Sequence, residues 1–220
     1  MRHMKIKLSH LRKSRLNKIA PLWLLNIFQY GCFVAGGATR SLINQEEIAD
    51  FDIFFCEQPM TVELIAPFDL TDITATSPTI EKKITYSASV LAIKRLLVKE
   101  KYKLVFSCPE GKLFTYKQGE IKIQLILECH GQPEEVIGGF DFNATCAALD
   151  DEYFYFSKQF IQDIKTKKLS INTVTYPAAT IKRLMKYKDK GYGINDAIVE
   201  FMKNISGKEF DAEKLRLYID

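Results

Sequence analysis

The sequence predicts an α+β fold: a mixed β-sheet flanked by helices, followed by a small helical C-terminal region. Three observations predict it. Ala49 to Phe55 (ADFDIFF) alternates strictly, the period of a strand with two unlike faces. Three strand-like runs, Leu104–Ser107, Leu113–Tyr116 and Ile121–Leu127, are separated by turn chemistry at Pro109-Glu110-Gly111 and at Gly119. After Gly138-Gly139 the apolar spacing becomes helical. The chain divides accordingly into basic N-terminal helices packed on the core (1–30), the core itself (31–140) and the helical C-terminal region (141–220).

In chain order, Leu8 to Ala20 reads as a basic amphipathic helix. Pro21 to Tyr30 reads as a second, with proline tolerated in its first turn. Cys32 to Ala35 is a short apolar run stopped by Gly36-Gly37, which suits a buried strand entering a tight turn. Ala38 to Ile43 opens a helix, and Ala49–Phe55 is the alternating strand. Thr61 to Ala66 is a further strand, followed by a polar loop through about Glu81. Ser87 to Tyr102 carries apolar residues at 90, 91, 93, 96, 97 and 98 and is a helix. The three strands above follow. The helical candidates beyond them are 144–149, 157–165, 177–190, 194–205 and 211–218.

The composition excludes several classes. The chain has 220 residues, 47% hydrophobic and 26% charged; its 15 Phe and 10 Tyr give it far more to bury than a disordered chain has. No run approaches the ~20 apolar residues of a membrane span, and the basic N-terminus leads into no clean apolar signal region. The expectation is a soluble, cytoplasmic chain without a membrane partner. Five scattered cysteines with no CxxC pair argue for free thiols, and three dispersed histidines argue against a His-based metal site.

Asp50 and Asp52 sit two apart on a predicted strand, so their carboxylates share one face. Two close carboxylates repel, and a divalent cation is their natural partner. Such an ion takes one or two protein carboxylates and fills its shell with phosphate oxygens and water. Gly36-Gly37 lies between a strand and a helix start, where the backbone approaches a phosphate closely and the helix N-terminus favours an anion. Arg40, in the first turn, would add a charge-assisted contact. A lone Asp pair also fits a solvated strand edge; its combination with the glycine turn and Arg40 singles it out.

The segment AGGATRSLINQEEIADFDIFF resembles the signature of the nucleotidyltransferase superfamily typified by DNA polymerase beta. It is most similar to the branch of CCA-adding enzymes and bacterial poly(A) polymerases. There, as from Gly37 to Asp50, the Asp-x-Asp begins thirteen residues after the second glycine. The resemblance implies a nucleotidyltransferase-type sheet. It implies that Asp50 and Asp52 bind catalytic Mg²⁺ or Mn²⁺ and that Gly36, Gly37 and Arg40 hold the phosphates of an NTP. Phe140 to Ala148 (FDFNATCAA) is similar to a second block of that branch and implies a nucleotide contact for Asp141. Gly139 and Phe140 stand where that family has Arg-Arg, and Thr145 stands at its Asn. Small stand-alone phage nucleotidyltransferase-like proteins share further likenesses. These are IKIQLI (121–126), Gly-x-Pro-Glu-Glu (131–135) and the basic helix Pro177–Tyr192. Many members add a third carboxylate from a later strand. Here Gln124 stands there, an amide that accepts a hydrogen bond but takes no proton. Glu128, two steps further on that face, is the alternative metal ligand.

Charge is segregated along the chain. Residues 1–45 hold eight Lys/Arg and no acid, and 165–190 hold eight against only Asp189. Lys182, Lys186 and Lys190 recur every four residues with Arg183 beside them. They form a basic ridge opposite Ile181, Leu184 and Met185, the expected core face. Lys182, Arg183 and Lys186 are therefore candidates for a triphosphate or a tRNA-like RNA acceptor. Tyr187 and Tyr192 read as core residues rather than base-stacking ones. The expectation is transfer of NMP from an NTP to an acceptor, most plausibly RNA. The alternatives are a degenerate nucleotide or RNA binder, and an enzyme that adds AMP to a protein or small molecule.

Overall fold

Eight strands form one sheet in the order β1-β10-β9-β2-β3-β8-β7-β6 in the computed structural model, which describes residues 3–8, 24–48, 50–65 and 81–205. The strands are β1 (His3–Lys7), β2 (Cys32–Ala35), β3 (Asp50–Phe55), β6 (Lys103–Ser107), β7 (Leu113–Gln118), β8 (Ile121–His130), β9 (Ala147–Leu149) and β10 (Tyr153–Ser157). Two short pairs stand apart from it: β4 (Met60–Ile65) with β5 (Glu81–Tyr86), and β11 (Lys168–Leu169) with β12 (Gly193–Ile194). In the large sheet β3 runs parallel to β8, and the other neighbours are antiparallel. A parallel pair needs a long crossover; here it contains α3 (Ala88–Lys99), started by Ser87, whose hydroxyl accepts from the Val90 amide at 3.3 Å.

The helices α1 (Leu24–Ile27), α2 (Gly37–Asn44), α3 and α5 (Lys158–Thr166) contribute to the main core with Phe51, Ile53, Ile123 and Leu125. Phe33, Ala35, Phe54 and Ala148 face the other way, towards α4 (Pro133–Gly138). Asp50, Asp52, Lys122 and Gln124 share that second face by strand alternation. A third cluster, Phe142, Leu184, Tyr187, Tyr192 and Ile198, ties α6 (Pro177–Asp189) and α7 (Asp196–Ile205) to the segment following α4.

The strands at 32–35, 49–55, 104–107, 113–116 and 121–127 and the helices at 157–165, 177–190 and 194–205 form where expected, within a few residues. Five expectations need correction. Residues 144–149 are a 3₁₀ turn (Asn143–Thr145) and then β9. The small apolar residues read as helix formers, but Ala147–Leu149 is buried between β2 and β10, and that pairing decides the outcome. His3–Lys7, assigned to N-terminal helices, is an edge strand on β10. The sheet takes β9 and β10 from beyond residue 140, so the core layer runs through Ser157. Met185, expected in the core, is 48% exposed. Glu81–Tyr86 continues as a strand where only a loop end was expected. The helix over 9–20, the loop over 66–80 and the helix over 211–218 lie outside the described residues. No helix among the described residues is long and apolar enough to cross a membrane.

Candidate functional site

The glycine turn sits directly against the carboxylate pair. Register places Ala35, the last residue of β2, opposite Asp52. Gly36 follows with φ 80°, a conformation that favours glycine. A Cβ there would stand 3.7 Å from Asp52 Oδ2 and 3.7 Å from the Phe140 ring. The turn is pinned from behind: the Gly36 amide donates to Ala147 O at 3.0 Å, and the Thr39 hydroxyl lies 2.7 Å from Gly36 O. The first-turn amides of α2 begin at Gly37 and have no acceptor within their own helix. A Cβ on Gly37 would meet nothing within 4 Å among the described residues.

Asp50 and Asp52 are both part-buried on one face of β3. Burial, and then the charge of Asp50, push the Asp52 carboxyl up to about 6; Lys186, Lys122 and Arg183 pull it down. Lys122 Nζ lies 3.8 Å from Asp50 Oδ1, and Lys186 Nζ lies 4.0 Å from Asp50 Oδ2. The basic ridge of α6 therefore meets the carboxylate pair. Lys182, Arg183, Lys186 and Lys190 line an open groove of about 500 Å³ along that helix. Asp141 is buried, and Arg183 donates to its carboxylate. Asn172 fixes the approach to it, donating from its side chain to Gly138 O and Phe140 O, each at 2.9 Å.

Two candidates sit differently from expectation. Arg40 is 1% exposed and is held by Glu46 at 3.0 Å and the Ser41 hydroxyl at 2.7 Å. Its guanidinium lies 5.4 Å from the Tyr187 ring and 5.9 Å from the Tyr192 ring. These partners draw it inward, where it braces α2 against α6. Its Nε and Nη1 are buried without a hydrogen-bond partner among the described residues; stacking on aromatic rings offsets part of that cost. Glu128 lies where the β3–β8 register jumps, between the Ile53–Leu125 and Phe55–His130 pairs, and is paired with Lys112 at 3.3 Å. It does not join the aspartates. The position opposite Asp52 belongs to Gln124, whose side chain is 3.4 Å from the Thr115 hydroxyl. Of the N-terminal basic segment, Lys5 and Lys7 lie on β1, four strands from β3, with Lys7 paired to Glu152.

No group of three or more His, Cys, Asp and Glu side chains among the described residues is placed to hold a metal. Two adjacent hard oxygen donors nevertheless fit an ion that draws the rest of its shell from phosphate and water. The chemistry of the pair points the same way: burial beside a like charge raises the Asp52 carboxyl to about 6, a cost of ionisation that a cation relieves. Lys122 and Asn172 were missed from the sequence. Alternation in IKIQLI puts Lys122 on the Gln124 face and was the available signal; nothing in the sequence marks Asn172.

A model of the Gabija anti-defense 2 family matches residues 4–167. "Gabija anti-defense 2" of Bacillus phage SPbetaL7 is 27% identical over 166 residues, which is 74% of this chain and 34% of the phage protein. The chain thus spans about a third of that relative's length. Among solved structures, a CCA-adding enzyme in complex with CTP superposes with a TM-score of 0.61 at 14% identity, covering 93% of this chain and 47% of the enzyme. The Thermotoga maritima CCA-adding enzyme complexed with tRNA gives 0.59 at 15%, covering 93% and 46%. A tRNA nucleotidyltransferase with a primer tRNA and an incoming ATP analog gives 0.53 at 13%, covering 81% and 49%. At these identities the likeness concerns the fold: a nucleotidyltransferase-type mixed sheet with helices.

Proposed function

The chain belongs to the Gabija anti-defense 2 family, and from its nucleotidyltransferase fold and the geometry of its site we propose that it transfers NMP from an NTP to an acceptor, with RNA as that acceptor. The observation that carries the reading is the meeting of three features: the Asp50–Asp52 pair, the Gly36 turn, where a Cβ would stand 3.7 Å from Asp52, and Lys186 of α6, 4.0 Å from Asp50. Each feature alone has a structural use; their convergence on one face is what a triphosphate needs.

Asp50 and Asp52 are the residues that would hold Mg²⁺ or Mn²⁺. Such an ion supplies positive charge against the triphosphate and lowers the pKa of a bound hydroxyl. The chain's own part is positioning. The Gly37 end of α2 offers backbone amides to phosphate oxygens. Lys182, Lys186 and Lys122 neutralise charge around them. Asp141, held by Arg183, offers an acceptor to the nucleoside. In the reaction an acceptor hydroxyl attacks the α-phosphate in line; the new P–O bond forms as the bond to pyrophosphate breaks, and the hydroxyl's proton passes to water. Gln124 can orient that hydroxyl but cannot take its proton. The amide at this position favours the second reading, a relative that binds nucleotide or RNA without turnover.

The test offers each NTP, labelled on its α-phosphate, with Mg²⁺ or Mn²⁺, total tRNA and cell lysate, beside an Asp50→Ala/Asp52→Ala control. Label on RNA that vanishes in the control is the expected result. Label on protein moves the acceptor to that class. Binding without transfer, indifferent to the double substitution, removes the enzyme readings.

A further inference from the structure

Register across the open end of the sheet lines up a row of lysines. Asp50 on β3 lies opposite Lys122 on β8, Lys122 opposite Lys117 on β7, and Lys117 opposite Lys103 on β6. Residues directly opposite share a face, so three lysines on three adjacent strands lead from Asp50 to the sheet edge. The next row is Asp52, Gln124, Thr115 and Phe106. A register shift between Leu104 and Phe106 sets Phe106 opposite Thr115, and the ring ends that row 47% exposed.

This row is costly to the fold. Like charges directly opposite one another destabilise a sheet. Among the described residues neither Lys103 nor Lys117 has an ion-pair partner; Lys122 is shared with Asp50. Lysine on an edge strand guards against stray pairing, which accounts for Lys103 alone. β7 and β8 are interior strands, where no such guard is needed.

We propose that this face is the path of a single-stranded nucleic acid whose end reaches Asp50 and Asp52: phosphates follow Lys103, Lys117 and Lys122, and a base stacks on Phe106. Two inter-strand spacings span roughly 10 Å, the reach of a short stretch of single strand. A cationic track with an aromatic beside it is how proteins hold single strands without reading sequence. A paired duplex cannot offer Phe106 the face of an interior base. The inference rests on the RNA-acceptor reading and names the route to that same site.

The test measures binding of a fluorescein-labelled single-stranded RNA of mixed sequence to the intact chain, across a salt series, in EDTA and without NTP. Lys103→Ala/Lys117→Ala should weaken binding and flatten the slope of log K against log[salt] by about 1.4, or about 0.7 per phosphate contact. Phe106→Ala should weaken it about tenfold and leave the slope unchanged. Lys158→Ala/Lys165→Ala removes the same charge from α5, at the other end of the sheet, and should change neither. An unaltered slope in the Lys103/Lys117 variant overturns the proposal. So does an equal effect of the α5 control, which reduces the row to net charge, or duplex RNA that binds as tightly while Phe106 is silent. The Asp50→Ala/Asp52→Ala variant separates the two claims. It should abolish transfer without weakening this binding, so a protein with no transferase activity can still show the path, and an active one can lack it.

Discussion

Asp52 is where the fold holds a carboxylate at a cost. Its pKa is raised from 3.8 to about 6, so folding favours the protonated form. Stability from this group is therefore full below about pH 4 and is lost as pH rises through about 6. In chelator, Asp52→Asn should gain stability relative to the wild type as pH rises from 4 to 7, read as the difference in thermal midpoints. A constant difference across that window would refute the assignment. Arg40 makes the complementary case. Glu46 is the carboxylate partner of a guanidinium that is otherwise buried. Glu46→Ala leaves that charge unpaired and should cost about 3 kcal/mol in chemical denaturation. A cost under ~1 kcal/mol would mean that the Tyr187 and Tyr192 rings suffice. Spacing alone made Arg40 look like a phosphate ligand. Its burial depends on Tyr187 and Tyr192, about 150 residues away in sequence and invisible to a local reading.

At the scale of elements, β2, the glycine turn, α2 and β3 were legible because each carries its own signal: an apolar run, a glycine pair, a spacing, an alternation. β9 and β10 were not. AAL and YFYFS are short runs whose state is decided by neighbours from β1 and β2. The jump in β3–β8 register was equally hidden, and with it the displacement of Glu128. The basic face of α6 was readable from its four-residue period; its docking against Asp50 was not. That docking depends on Leu184, buried among Phe142, Tyr192 and Ile198. Leu184→Ala should cost about 2–5 kcal/mol. If α6 positions the acceptor or triphosphate, transfer should also fall, with KM rising more than kcat drops. Unchanged kinetics in a destabilised Leu184→Ala protein would make α6 a packing element only.

For the whole molecule, the useful fact is how charge is laid on the sheet. One face is filled by an apolar core and its helices; the other carries Asp50, Asp52 and cations from β8 and α6. The N-terminal lysines on β1 are four strands away and take no part there. Among the described residues, the basic surfaces beside the aspartates are thus those of α6 and of the β6–β8 face. Single-turnover transfer of an α-phosphate label to RNA in Mg²⁺, by the wild type and by Asp50→Asn/Asp52→Asn, tests the central claim most directly. The account predicts covalent label on RNA with release of pyrophosphate in the wild type, and a loss of at least about a thousandfold in the variant. Equal labelling by the two proteins, or no labelling by a wild type that still binds NTP, would contradict it.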